Sequence, residues 1–174
     1  MSRVEDELKW FAEYVVEQSK GRLAQERKDT GRLHKSIDYQ LNVSPRSFSL
    51  SFLMEDYGTF IDKGVKGTTS SYRAPNSPYK FGTGTGKKGG LTEGINSWVK
   101  RKRFQFRERE GKTKGQFLSY AQTAFIIRRA IWHQGLKETN FFTEPFNKAF
   151  AKLPQDLIEA YALEMEEFIK FTLK

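Results

Sequence analysis

Apolar residues open the chain at helical spacing, with Val4, Leu8, Phe11, Val15 and Leu23 on one stripe and Trp10 and Tyr14 widening it. The pattern predicts an amphipathic helix over residues 2–27. Ser2 caps it, and Glu5, Asp6 and Glu7 stand in the first turn, where the positive end of the helix dipole stabilises carboxylates. Thr30 to Ile37 predicts a short second helix with Leu33 and Ile37 on one face. The period then drops to two. Tyr39, Leu41 and Val43, followed beyond Ser44-Pro45-Arg46-Ser47 by Phe48, Leu50 and Phe52, predict an antiparallel hairpin over 38–53 with one face buried. Asp38, Gln40, Asn42, Ser47, Ser49 and Ser51 make its other face polar.

The chain changes character at Tyr57–Thr68. Gly58, Gly64 and Gly67 allow a sharp turn that Phe60, Ile61 and Val65 anchor in a core, which predicts a hinge between a scaffold and a projecting arm. The arm, 64–90, has few apolar residues besides Tyr72, Tyr79 and Phe81. Too little apolar surface is present to offset its ordering entropy, so the arm is expected to take shape only against a partner. Helical periodicity resumes over 92–103 through Ile95, Trp98 and Val99, closing on Lys100-Arg101-Lys102-Arg103, cations suited to the negative helix end. Phe104 and Phe106 predict a short edge strand before the charged turn 107–115. A helix over 116–134 carries Phe117, Tyr120, Ala121, Ala124, Ile127 and Ile131 on one side and Leu118, Phe125 and Trp132 on another, which predicts central burial before Gly135 closes it. Helices over 143–152, with Pro145 in the first turn, and 154–173, with Leu157, Tyr161, Glu164, Met165 and Phe168 as its stripe, complete the pattern. The expected fold is α+β: a small antiparallel sheet packed against several helices, with a long basic loop arm, in a single domain 1–174.

A length of 174 residues fits one domain, and 15 Phe with 3 Trp supply bulky core filling. The absence of cysteine removes disulfides and thiolate zinc sites. There is no long apolar run, and the acidic start lacks a basic flank, so the expectation is a soluble protein made in the cytoplasm with no membrane partner. The net charge of +9 is unevenly placed. Residues 64–115 hold thirteen Lys and Arg against three acids, whereas 1–20 and 154–174 are mildly acidic, so the middle segment favours a polyanion or the acidic face of a neighbouring subunit.

Gly84-x-Gly86-x-x-Gly89 has the spacing of a dinucleotide-binding loop, but no strand is predicted before it, and Phe81 stands where a phosphate loop needs glycine. A flexible loop is the better reading. His34 and His133 lack metal-ligand spacing, Glu108 and Glu110 sit among arginines that pair them, and no Ser, His and acid grouping can be argued. The expectation is therefore no enzyme, no cofactor and no metal. The sharper signal is cationic: Lys66, Arg73, Lys80, Lys87, Lys88, Lys100, Arg101, Lys102 and Arg103, interleaved with Tyr72, Tyr79 and Phe81, are candidates to face DNA or an acidic partner. A solvated loop and helix end is the plainer alternative.

The order of motifs Thr30-Gly-Arg-Leu-x-x-Ser-Ile37, a hairpin, Tyr57-Gly-x-Phe-Ile-Asp-Lys-Gly-Val-x-Gly67, Ser77-Pro-Tyr-Lys-Phe81, Ile95-x-x-Trp-Val99 and Gly135-Leu-Lys-x-Thr-x-Phe-Phe-Thr-Glu-Pro145 resembles the tail-completion and head-tail joining (neck) proteins of tailed bacteriophages. The resemblance covers residues 30 to 146. It implies a structural virion protein, not an enzyme, assembled as a homo-oligomeric ring of six or twelve subunits at the head-tail junction. There it would meet the portal or connector and the tail proteins and let DNA pass. It further implies subunit contacts through Tyr57, Gly58, Phe60, Gly64, Val65, Tyr72, Tyr79 and Phe81, and that Phe141-Phe142 pin the last helix to the sheet. The long arm and the Arg107–Lys114 insertion depart from compact members. The alternatives are a non-sequence-specific nucleic-acid-binding protein acting as a monomer, and a cryptic nuclease.

Overall fold

The opening stripe forms α1 (Arg3–Glu26), which buries Val4, Leu8, Phe11, Ala12, Val15 and Leu23. The computed structural model describes residues 3–26, 31–44, 47–84, 89–111 and 113–172 and is α+β. Ser2, expected to cap α1, falls outside those residues. Two compact units form where length suggests one domain: Met1–Asp62 with Thr139–Lys174, and Lys63–Glu138. We call them the outer and the inserted unit. The division follows the charge. The inserted unit carries seventeen Lys and Arg against four Asp and Glu, a net +13, and the outer unit thirteen against seventeen, a net −4.

In the outer unit α1 is followed by α2 (Arg32–Ser36), then by β1 (Asp38–Ser44) and β2 (Ser47–Leu53). The strands pair antiparallel with Tyr39 opposite Phe52, Leu41 opposite Leu50 and Val43 opposite Phe48, so the period-two pattern places all six on one face. Tyr39, Leu41, Leu50 and Phe52 are half-buried, but Val43 and Phe48 are exposed because the hairpin tip extends past the helices that cover its base. Two further helices follow in this unit, α6 (Thr143–Phe150) and α7 (Leu153–Thr172); α3 (Gly58–Lys63) leads into the inserted unit. Phe11, Phe52, Phe142 and Phe146 form a cluster with ring centroids 5.3–6.1 Å apart, mostly edge to face, the arrangement that aromatic quadrupoles favour. Phe142 thereby joins the start of α6, rather than the last helix, to β2. Fully buried Phe141 packs with Val16, Leu23, Leu33 and Ile37.

The last helix turns a different face inward from the one its stripe suggests. Leu153 and Ala160 are buried and Leu157 half-buried against α1, while Tyr161 and Met165 are exposed. Glu164 explains its place among apolar neighbours: its Oε1 accepts the Val4 N–H at 3.2 Å and so caps the start of α1 from another helix. Ser19 is fully buried on α1, and its hydroxyl has no hydrogen-bond partner among the described residues. Ser19→Ala is expected to raise stability by up to about 1 kcal/mol, read as a higher urea midpoint at unchanged slope.

Arg22 on α1 grips Glu144 on α6 through two hydrogen bonds, 2.5 and 2.6 Å long. The bidentate Arg22 contact holds the Glu144 carboxyl below the ordinary carboxylate range. A carboxyl lowered in the folded state stabilises above its unfolded value of about 4.3, and that contribution is lost as pH falls through the folded value. Wild type should therefore melt above Glu144→Gln at neutral pH. The gap should close as pH falls below about 4.3, in melting curves recorded across the acid range.

Candidate interaction surface

The inserted unit contains β3 (Val65–Lys66), α4 (Gly90–Lys102), α5 (Tyr120–Gln134) and β4 (Gly135–Leu136). Its first segment was expected to lack a fold of its own, and the structure corrects this. β3 pairs antiparallel with β4, and Lys66 also bridges Lys80 in parallel, donating its N–H to the Tyr79 carbonyl and accepting the Phe81 N–H, both at 2.9 Å. The Thr68 N–H reaches the Trp132 carbonyl at 2.9 Å, and the Thr69 N–H the His133 carbonyl at 3.2 Å. Ser77, buried, donates its hydroxyl to the Gly64 carbonyl at 2.8 Å. Residues 65–81 are thus laced to the end of α5 by main-chain bonds, which a count of apolar side chains cannot register.

That lacing requires glycine at two places. A Cβ on Gly67 would stand 2.0 Å from the His133 carbonyl oxygen, and one on Gly135, whose φ is +85°, 2.3 Å from the Val65 carbonyl oxygen. The two backbones touch where side chains would otherwise separate them.

The expected interface residues divide. Gly58, Gly64 and Val65 are buried and Tyr57 is half-buried, each inside its own unit, so their burial comes from the fold itself. Tyr79 and Phe81 are half-buried too, the Phe81 ring lying 5.6 Å from Trp132. Phe60 (41%) and Tyr72 (90%) are exposed. Exposed apolar side chains also lie where central burial was expected. On α5 only Thr123 and Ala124 are buried, while Phe125, Ile126 and Trp132 are exposed, as is Phe117 just before the helix. The two-sided pattern was the available signal: a helix apolar on two sides is covered either by its own core or by something else.

The cations form two groups rather than one arm. Arg73 donates to the Gln134 side chain at 2.6 Å, Lys66 lies on β3 beside β4, and Lys80 bridges Lys66, so these three gather toward the C-terminal end of α5. α4 packs antiparallel to α5. Arg128 donates to Thr92 Oγ1 at 3.1 Å near the start of α4, while beyond its end Gln105 Nε2 reaches the Leu118 carbonyl at 2.8 Å and the Phe106 N–H reaches Thr123 Oγ1 at 3.3 Å. Lys100, Arg101, Lys102 and Arg103, all exposed, therefore sit by the N-terminal end of α5, about 20 Å from the first group at 1.5 Å per helical residue. Lys87 and Lys88 lie outside the described residues. Exposed aromatic rings occupy the length between, with Arg107 4.4 Å over Phe117 and Arg128 5.2 Å over Phe125.

α5 begins at Tyr120, four residues later than expected, because Ser119 and Gln122 form a capping box in which each side chain binds the other's main-chain N–H. Residues 106–108 instead pair with 115–118, bridged at Arg107 and Phe117, where a short edge strand was expected. α4 opens at Gly90, directly after the glycine-rich loop. The residues leading into that loop are turns, and Lys80 makes only a single bridge, so the strand that a dinucleotide site needs is missing there. His34 lies in α2, and His133, in the last turn of α5, meets the Thr68 hydroxyl at 3.2 Å. Among the described residues no three His, Asp or Glu side chains converge as a metal site, and no helix is long and apolar enough to cross a membrane.

No protein-family model, characterised protein or solved structure matches the chain.

Proposed function

We propose that this chain is a structural subunit that completes its surface by assembling with copies of itself. The exposed Phe125, Ile126 and Trp132 of α5, with Phe117 just before the helix, lying between two cationic groups, are the observation that supports this reading. Exposed apolar side chains gathered beside charged groups mark a contact surface. The opposite net charges of the two units suit a head-to-tail contact, and such contacts close into rings when the rotation between copies permits. On the motif resemblance, the ring is the neck or tail-completion ring of a tailed phage virion. It joins the connector to the tail, with the cations lining a DNA passage and contacting phosphate without reading sequence.

Light scattering on the purified chain over a range of concentrations tests the assembly, with a closed oligomer of six or twelve copies as the expected result. A monomer at every concentration that binds DNA, with affinity falling steeply as salt rises, would support the runner-up, a non-specific nucleic-acid-binding protein. The +13 of the inserted unit favours that second reading. Metal-dependent turnover of DNA would point to a nuclease instead.

A further inference from the structure

We propose that a groove between α1 and α7 of one copy receives the basic end of α4 of the next, an inference that rests on the self-assembly reading and gives it a specific contact. The groove, of about 530 Å³, is walled by Asp6 and Glu7 from α1 and by Asp156 and Glu159 from α7, with Arg3 the one cation among its described lining residues. Trp10 and Leu163 line it too, 55% and 45% exposed, so an apolar surface lies between the carboxylates. A charged rim around an apolar floor selects a ligand of opposite charge that carries an apolar side chain of its own.

The end of α4 has that composition. Lys100, Arg101, Lys102 and Arg103 are exposed, and Phe104, 40% exposed, follows them directly. Among the described residues none of these four cations makes an ion pair, and neither do Asp6, Glu7 or Asp156. Arg103 adds a second indication. Its φ of +50° is left-handed backbone at a helix end, so the chain turns out of α4 at an arginine where glycine is the usual occupant. Seated in the groove, the cations meet the four carboxylates, and a guanidinium reaches the face of Trp10. Every copy carries both halves of the contact, the groove on the outer unit and the basic helix end on the inserted unit, so the contact can repeat head to tail from one copy to the next.

A charge swap in the full-length chain tests the contact. Arg101→Glu with Arg103→Glu on one side, or Glu7→Lys with Glu159→Lys on the other, is expected to weaken self-association about 100-fold by sedimentation equilibrium at low salt. Combining all four substitutions should restore it, because the pairs then match again with signs exchanged. Circular dichroism melting checks that each variant folds. Should a reversal fail to fold, the neutral versions Arg101→Gln and Glu159→Gln are expected to weaken association in the same direction. Single-side variants that associate as the wild type does would overturn this contact while leaving self-assembly standing, and so would a four-fold variant that stays dissociated. A wild-type chain that never associates would overturn both.

Discussion

Gly67→Ala is expected to unfold the inserted unit, at a cost of at least about 4 kcal/mol. The new methyl group would stand 2.0 Å from the His133 carbonyl oxygen and 2.7 Å from the carbonyl carbon of Gln134, and both obstacles are main chain at the point where α5 passes into β4. Neither can swing aside as a side chain could. Relief requires parting the segment 65–69 from α5, which breaks the Thr68 and Thr69 bonds to residues 132 and 133 together. Hydrogen exchange resolved along the sequence should show protection lost across Lys63–Glu138 first. Gly94→Ala is the control from the same unit. Nothing lies within 4 Å of its added carbon and it stands inside α4, so it should stabilise by about 0.5–1 kcal/mol. Equal melting of the Gly67 variant and wild type would show that the close approach is not required.

Asp62→Ala is the second large effect, at about 3 kcal/mol, and it falls on the outer unit. Asp62 is only 3% exposed, and its carboxylate accepts the Phe142 N–H at 2.8 Å, the Thr143 N–H at 3.1 Å and the Thr143 hydroxyl. Its own carbonyl takes the N–H groups of Thr139 and Asn140 at 3.1 and 2.9 Å. One residue thus caps the start of α6 and ties the loop before it. Alanine keeps the carbonyl contacts but leaves the first donors of α6 unpaired beside buried Phe141. Asp62→Asn should cost much less, because its amide oxygen can still accept both N–H groups. Urea denaturation of the three proteins checks the order wild type, Asn, Ala; a different order would separate Asp62 from the cap.

These two positions also mark where the sequence stopped being readable. The hairpin register and the α1 stripe followed from periodicity, because one apolar face against one core leaves a single phase that works. Asp62 could not be read that way. Its partners lie some eighty positions along the chain, and an aspartate in a turn-like stretch reads as solvated. The ordering of residues 65–81 was missed for a related reason, since it rests on carbonyl and N–H groups that every residue carries. Burial on α5 was misjudged because its pattern says that two sides are apolar and not what covers them. The start of α5 was legible all the same, since Ser119-Tyr-Ala-Gln122 spells a capping box.

The inserted unit is continuous in sequence, whereas the outer one is made of two pieces that flank it. Order of synthesis therefore matters. When Glu138 leaves the ribosome, every residue of the inserted unit is present, but the apolar side of α1 from Val4 to Val15 still waits for Ala149, Leu153 and Ala160. Until those residues emerge, the nascent polypeptide carries a hydrophobic strip on α1 that Leu41, Leu50 and Phe52 of the hairpin cover only in part, the kind of surface that chaperones bind and that aggregates when crowded.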